Sequence, residues 1–146
     1  MASFSRRGQG RFQRYEFPYV DFHGRSYPLI PLTLKKGKFQ VNTFALLDSG
    51  ASISVFRPEI ARALHIRPRR EEAARLDTAA GGVDIGIAAV EILVEKTRFA
   101  SKIGFSATYA ANFNILGREG FFHRFNICFN EKHHTTVLTP ISADRS

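Results

Sequence analysis

The sequence predicts an all-β protein that folds as one barrel-like domain. Its apolar residues fall in many short stretches rich in β-forming residues, few of them have helical spacing, and strands do not alternate with helices. The chain has 146 residues, 44% of them hydrophobic and 14 of them Phe, and a chain of this size can bury one good core. We therefore expect a single globular domain rather than a disordered chain.

A β-hairpin comes first in the order of predicted elements. Residues 27–34 have the residue types of a strand, residues 35–38 (Lys-Lys-Gly-Lys) form a turn, and residues 39–47 form the second strand. A short helix follows at Pro58, because Pro is favoured in the first helical turn and apolar residues follow it at helical spacing. The remaining predicted strands cover residues 76–78, 83–94, 99–105, 113–116 and 125–129.

Residues 1–17 are expected to form a flexible basic arm. The first 14 residues hold Arg6, Arg7, Arg11 and Arg14 and no acid, and the formal net charge of the chain is +8. Arg, Gly and Phe together can bind RNA or single strands by charge and by stacking on bases. A solvated tail is the favoured interpretation, because no nucleic-acid-binding motif accompanies the arm. Nucleic acid is therefore the less favoured partner.

Cysteine usage and hydropathy indicate the compartment. Cys128 is the only cysteine, so the chain has no internal disulfide, and no apolar run of 18 residues occurs. The N-terminus is basic and polar and lacks the apolar region of a signal peptide. We expect a cytoplasmic protein without a membrane partner.

The strongest chemical signal lies where the predicted strand 39–47 ends. This strand leads into Asp48-Ser49-Gly50-Ala51, so that one carboxylate is presented from a strand-ending turn. Asp, Ser and Gly all favour turns, and the tripeptide alone is therefore also typical of an ordinary turn. Two later segments strengthen the signal: a glycine-rich turn, Ala79-Ala80-Gly81-Gly82, and an apolar step into Gly and Arg, Ile115-Leu116-Gly117-Arg118.

In their order, separation and residue types these three segments resemble the retropepsin-like family, the single-domain aspartic proteases of the retroviral type. The resemblance covers Tyr27 to Phe129. It implies an acid-protease barrel over residues 18–146, with a flap hairpin, one or two short helices and a symmetric homodimer. Many members carry an acid four residues beyond the catalytic Asp, paired with the Arg of the later segment. This chain has Ser52 there, which leaves the partner of Arg118 open.

Peptide hydrolysis by carboxylates needs two of them within hydrogen-bond reach. One ionised group takes a proton from water, while its protonated partner polarises the carbonyl group of the substrate. A similar segment, Leu76-Asp77-Thr78-Ala79, follows Asp48 by only 29 residues, which is too few for a second lobe, and we interpret Asp77 as a flap-strand residue. The second carboxylate then comes from a second copy of the chain, with Asp48 of each subunit facing across a two-fold axis.

The neighbours of Asp48 have expected roles in this interpretation. The Gly50 N–H would hold the carboxylate, and Ala51 is small enough to admit the backbone of the substrate. The family resemblance implies that the Ser49 hydroxyl bonds across the dimer to the partner loop. Neither a metal nor another cofactor is expected.

The glycine-rich turn is expected to be the tip of the flap. Its residues, which would touch the substrate, are Ala79, Ala80, Gly81 and Gly82. A mobile tip of this kind closes over a bound, extended peptide and excludes water. Gly117 is expected to be structural, since it gives close packing beneath the loop of Asp48.

Two other chemistries are less favoured. The segment Gly50-Ala51-Ser52-Ile53-Ser54 is similar to a serine nucleophile elbow, but Ser54 stands where that motif needs Gly. A metal site is the second. Its candidate ligands, which lack paired metal-ligand spacing, are His123, Cys128, His133 and His134.

An aspartic endopeptidase that cleaves extended peptides as a homodimer is the favoured interpretation. The alternative is a protease-fold module with weak or no turnover, which binds extended peptides or, through its basic arm, nucleic acid, because a fold does not guarantee activity. The intact Asp-Ser-Gly favours the enzyme, since a binding module has no need of two mutually repelling acids.

Overall fold

The computed structural model of the chain describes residues 13–67, 73–78 and 81–142. Most of these residues lie in strands. In chain order the strands are β1 (Tyr15–Pro18), β2 (Val20–Phe22), β3 (Arg25–Tyr27), β4 (Leu29–Lys36), β5 (Phe39–Leu47), β6 (Val55–Phe56), β7 (Ala73–Thr78), β8 (Gly81–Val94), β9 (Thr97–Phe105), β10 (Asn114–Leu116), β11 (Phe125–Asn130) and β12 (Thr135–Pro140). Helix α1 (Pro58–Ala63) and a 3-10 helix (Phe122–Arg124) are short.

The largest sheet closes on itself as a barrel. Its strand order is β4-β5-β10-β6-β9-β8-β7, and β4 also pairs with β8. Because β4 contacts β5 on one side and β8 on the other, the six strands from β4 to β8 in this order form a closed ring, and β7 extends from β8 as a hairpin. The predicted all-β, retropepsin-like barrel is confirmed.

The barrel forms because its strands alternate apolar and polar residues. In β4 the side chains of Ile30, Leu32 and Leu34 are buried, while Pro31 between them is exposed. Successive side chains of a strand point to opposite faces, so the buried set lines the interior. Each fully buried Leu or Ile contributes about 1.5–3 kcal/mol of hydrophobic free energy.

Three phenylalanine rings pack together in the part of the core next to the start of β11. The rings of Phe99, Phe121 and Phe125 contact one another, with centroid separations of 5.0 to 5.9 Å. Their tilted and edge-on arrangements are those that aromatic quadrupoles favour. Packing of these rings therefore accounts for part of the high Phe content of the sequence.

Two smaller sheets flank the barrel. One has the order β1-β12-β11, and β2 pairs with β3 in the other. Residues 15–17, which the sequence analysis assigned to the flexible arm, belong to β1 and pair with residues 136–138 of β12. The arm boundary predicted at residue 17 therefore lies inside a paired strand, and residues 1–12 lie outside the described residues.

Most of the predicted elements are confirmed. Strand β5 has the predicted bounds, α1 begins at Pro58 as predicted, and the turn between β4 and β5 contains Gly37 at a φ of +58°, a left-handed conformation that glycine favours. The prediction lacked β1, β2, β6 and β12 altogether, and it met β3 only at Tyr27. Strands β1, β2 and β12 carry mixed polar residues, so their alternation is weak, and β6 has only two residues.

Within the described ranges, no helix combines the length and the apolar character that a membrane crossing requires.

Candidate functional site

Asp48 follows the end of a strand inside the barrel sheet. Strand β5 lies between β4 and β10, and β10 runs parallel to it with Leu116 opposite Leu47. The Asp48 N–H continues this ladder, since it donates to the Leu116 carbonyl at 3.0 Å. Asp48 is therefore placed by two paired strands, whose pairing fixes where its backbone leaves the sheet.

The turn after Asp48 holds its carboxylate. The Gly50 N–H donates to Asp48 Oδ1 at 2.9 Å, and the Ala51 N–H donates to the Asp48 carbonyl at 3.1 Å. The first of these is the hydrogen bond expected of Gly50. Asp48 is half-buried, whereas Ser49 and Gly50 are exposed. The carboxylate is thus oriented by the backbone while the loop faces outward.

Gly117 lies directly beneath this loop. A Cβ atom at Gly117 would overlap the Ile53 carbonyl group, so only glycine fits there without a shift of the backbone. The Gly117 N–H donates to the buried Ser54 hydroxyl at 3.0 Å. This close approach agrees with the structural role expected for Gly117.

Arg118 and Ser52 are joined to the neighbouring segments through backbone groups. The Arg118 N–H donates to the Ala51 carbonyl and the Glu119 N–H donates to the Ser52 carbonyl, each at 2.9 Å. The Arg118 side chain is exposed, and among the residues that the structure describes no ion pair includes it. Backbone hydrogen bonds therefore join the segment after Asp48 to the segment after β10.

The flap prediction falls on the β7–β8 hairpin. Thr78 pairs with Gly81 and Asp77 pairs with Gly82, so Asp77 lies in a strand of this hairpin. Gly81 and Gly82 are the first residues of β8 rather than turn residues, and residues 79–80, which connect the strands, lie outside the described residues.

Asn114 is a buried polar residue that the sequence analysis missed. Its Oδ1 accepts the Arg57 N–H at 2.8 Å, and its Nδ2 donates to Thr43 Oγ1 at 3.1 Å and to the Phe44 carbonyl at 3.0 Å. One amide thus joins β5, β10 and the start of α1. An Asn between Phe113 and Ile115 in an apolar strand was the signal that could have revealed it.

The segment between β9 and β10, residues 106–113, is also tied in place. The Tyr109 hydroxyl donates to the Phe113 carbonyl at 3.0 Å, and the Arg57 guanidinium donates to the Ala111 carbonyl and pairs with Glu59. Burial raises the pKa of Tyr109, the Arg57 charge lowers it, and the Asp48 carboxylate raises it. The phenol therefore stays protonated at neutral pH and lies within the field of Asp48.

The residues considered for other chemistries do not come together. Ser54 is buried and accepts the Gly117 N–H, and among the described residues no hydrogen bond joins Ser52 to a histidine. His134 stacks on Tyr19 with a centroid separation of 5.3 Å, and Cys128 is exposed. In the part of the chain that the structure describes, no group of three or more His, Cys, Asp or Glu residues could hold a metal ion.

A groove of about 820 Å³ is lined by residues of the paired strands β8 and β9 and by Ile53, and its charged lining residues are Lys102 and Glu119. None of the residues from Asp48 to Ala51 lines it. Because the Glu119 N–H donates to the Ser52 carbonyl, the groove adjoins the segments that follow Asp48 and β10.

Comparisons with known proteins agree with this geometry. Residues 30–106 match the family described as aspartyl protease. This range includes β5, the turn of Asp48 and the β7–β8 hairpin. The chain belongs to the aspartyl protease family, and its fold is retropepsin-like.

Two solved structures share the fold. EIAV protease complexed with the inhibitor HBY-793 matches with a TM-score of 0.53 at 20% identity, over 68% of this chain and 88% of that chain. A retropepsin-like aspartic protease from Rickettsia conorii matches with a TM-score of 0.59 at 15% identity, over 88% of this chain and 93% of that chain. No curated protein is significantly similar in sequence.

Proposed function

We propose that this protein is an aspartic endopeptidase that works as a homodimer. The observation that supports the proposal most directly is the position of Asp48, whose carboxylate accepts the Gly50 N–H at the end of a barrel strand. The family and the fold support the same class of enzyme. The natural substrate is a peptide or protein held in extended form.

The chemistry requires a pair of carboxylates that share one proton. The ionised Asp48 takes a proton from a water molecule, whose oxygen forms a bond to the peptide carbonyl carbon. The protonated Asp48 of the second subunit gives its proton to the carbonyl oxygen. When the tetrahedral intermediate collapses, the C–N bond breaks and the amine leaves with the proton that the first Asp48 took from water. As the carbonyl bond re-forms, one hydroxyl group of the intermediate returns its proton to the Asp48 of the second subunit. Two close carboxylates titrate separately because they cannot both ionise easily.

A second copy of the chain is proposed as the source of the second carboxylate. Asp48 is the one Asp of the described residues in a strand-ending turn of this kind. Asp21 is exposed on β2 and accepts a hydrogen bond from the Ser26 hydroxyl, Asp77 lies in β7, and Asp84 lies in β8. A two-fold axis next to the turn would bring the two Asp48 residues together. The exposed Ser49 hydroxyl would then bond to the partner loop.

The β7–β8 hairpin is the proposed flap. Gly81 and Gly82 begin β8 next to the connecting residues Ala79 and Ala80, so the four residues together form the part that closes over a peptide. Ala51, which follows the Asp48 turn, is small and lets the peptide backbone approach. These contacts would be made to the backbone of an extended substrate.

The cellular compartment of the protein and the role of its N-terminal arm are also proposed here from indirect observations. An exposed, free Cys128 suits a reducing compartment such as the cytoplasm. We expect residues 1–12 to act as a solvated tail and not to take part in peptide cleavage.

Incubation with a diverse peptide library at acidic to neutral pH tests the proposed function. We expect cleavage by the native protein and none by Asp48→Asn, with Asp77→Asn serving as the matched control that keeps its activity. Binding of peptides without cleavage by the native protein at every pH would favour a binding module instead. Loss of cleavage in Asp77→Asn with retention in Asp48→Asn would mean that Asp48 is the wrong residue.

A further inference from the structure

A small pocket lies at the base of the β7–β8 hairpin, and its volume is about 400 Å³. Three parts of the chain meet in its lining: Lys36 at the end of β4, His65, Ile66 and Arg67 after α1, and Ile87, Ala88 and Ala89 in β8. Pairing within the hairpin ends at Gly86, so the β8 part of the lining begins one residue beyond it. None of the residues from Asp48 to Ala51 lines the pocket.

We call this cavity the basic pocket, because Lys36, His65 and Arg67 line it and no acid is among its described lining residues. The Lys36 Nζ donates to the Ala89 carbonyl at 2.7 Å, which holds the ammonium group against β8 and leaves two of its three donors. The next acid along β8 is Glu91, whose carboxylate pairs with Arg98 at 3.4 Å. Positive charge is therefore concentrated in the basic pocket.

His65 has a backbone conformation that favours glycine. The His65 N–H donates to the Arg62 carbonyl at 3.1 Å and the Ile66 N–H donates to the Ala61 carbonyl at 2.9 Å, which closes the end of α1. Glycine is the usual residue at the position of His65 in such a helix end, and the φ of His65 is +54°. The imidazole stacks on Phe39 with a centroid separation of 3.9 Å. Since glycine would end the helix with less strain, the side chain of His65 is better explained by its place in the basic pocket.

A phosphate group is the ligand that this lining fits best. Its oxygens accept hydrogen bonds from ammonium, guanidinium and imidazole donors, and such charge-assisted bonds are stronger than neutral ones. The volume of the pocket also lies within the range of small-molecule sites, so there is room for an organic part. Ile66 and Ile87 give the lining an apolar side against which carbon atoms can pack.

We propose that the basic pocket binds a small phosphate monoester. The side chains of Lys36, His65 and Arg67 donate to the phosphate oxygens, and Ile66 and Ile87 contact the organic part of the ligand. Arg67 precedes β7 and Ile87 follows the paired part of the hairpin, so the ligand contacts the chain on both sides of the β7–β8 hairpin. The binding site is independent of peptide cleavage by Asp48.

Calorimetric titration of the full chain with phenyl phosphate tests the proposal. Inorganic phosphate and benzyl alcohol are the two controls, because each supplies one half of the probe. We expect one phenyl phosphate per chain, with a Kd at least about tenfold lower than that of inorganic phosphate, and no measurable binding of benzyl alcohol. Absence of phenyl phosphate binding would overturn the proposal, and inorganic phosphate that binds as tightly would overturn the assignment to an ester.

Hydrogen exchange with and without phenyl phosphate locates the ligand. Exchange should slow at the backbone amides of residues 65–67 and 87–89, which line the basic pocket. Protection confined to other parts of the chain would overturn the assignment to this pocket.

Substitutions separate a specific site from a general effect of charge. Lys36→Met and Arg67→Met should each raise the Kd of phenyl phosphate by about tenfold, since each removes a charged donor. Lys38→Met is the matched control, because Lys38 lies in the same turn as Lys36 but over the Phe39 ring, and its Kd should stay within about twofold of the native value.

His65→Gly distinguishes binding from folding. It should keep or raise the Tm, because glycine adopts the left-handed conformation without strain, yet raise the Kd by at least about threefold. If Lys36→Met does not fold, the exposed Arg67 provides the deciding variant. An unchanged Kd in folded Arg67→Met, or an equal rise of the Kd in Lys38→Met, would overturn the proposal.

Discussion

Gly117 and Ser54 join the two loops of the candidate site: the Gly117 N–H donates a hydrogen bond of 3.0 Å to the Ser54 hydroxyl, and Ser54 is 0% exposed. The bond is one of several that attach the residues after β10 to those after Asp48, together with the bonds from Arg118 to Ala51 and from Glu119 to Ser52. The position of Asp48 therefore depends on the segment that follows it and on the segment that follows β10.

Loss of the Ser54 hydroxyl should destabilise the fold. In Ser54→Ala the Gly117 N–H is left buried without an acceptor, which costs about 1–3 kcal/mol of the free energy of unfolding. Ser142→Ala, which alters an exposed serine, should change it by less than about 0.5 kcal/mol. Urea denaturation of both variants measures the difference, and equal stabilities would show that the Gly117 bond is unimportant.

Low pH should weaken the ion pair between Arg57 and Glu59. The hydrogen bond from Arg57 lowers the pKa of Glu59 below its ordinary value of 4.5. Because the pKa is lower in the folded state, the ionised pair stabilises the fold fully above pH 4.5, and this contribution is lost as the pH falls through the folded pKa. The stability difference between the native protein and Glu59→Gln should therefore shrink in acid. A stability difference between the two proteins that does not change with pH would contradict the ion pair between Arg57 and Glu59.

The flap proposal predicts that turnover and stability respond differently to substitution. Gly81 and Gly82 lie in a strand, where β-branched residues are favoured, so replacing both with Val should leave the fold stable. The stiffer hairpin should nevertheless impair closure and lower kcat/KM. Thermal unfolding and peptide hydrolysis are measured side by side, and the double Ala variant is the milder control. Parallel losses of stability and activity would make the hairpin a scaffold only.

Removal of the basic arm should separate its role from that of the barrel. Deleting residues 1–12 removes Arg6, Arg7 and Arg11 but leaves β1 intact from Tyr15. We expect peptide cleavage within about twofold of the full chain, and a sharp loss of any salt-sensitive nucleic-acid binding. Peptide hydrolysis measures the cleavage activity and filter binding measures the nucleic-acid affinity, each on the full and the truncated chain. Nucleic-acid binding that disappears on truncation, with no hydrolysis by either protein, would favour the alternative function.

Sequence reasoning succeeded where local patterns are strong. Strand β5 has regular residue types and ends in a turn tripeptide, and α1 begins with Pro58, so both could be predicted. It failed for β1 and β12, whose pairing joins residues more than 100 positions apart, such as Tyr15 and Leu138. Pairing over such a separation leaves no local pattern.

The site was predictable only in part for the same reason. The bond from Gly50 to Asp48 is local, whereas Asn114 reaches Arg57, Thr43 and Phe44 across the barrel. Contacts of this kind appear only when the strand pairing is known.

Mixing of native protein with Asp48→Asn tests the shared site most directly. In a homodimer with one Asp48 from each subunit, an exchanged equimolar mixture contains native, mixed and variant dimers in a ratio of about 1:2:1. Only native dimers have both carboxylates. We therefore predict that adding an equal amount of Asp48→Asn lowers the peptide hydrolysis of a fixed amount of native protein to about half, at concentrations where both form dimers. Hydrolysis that stays unchanged after exchange would show that each subunit acts alone and would contradict the account.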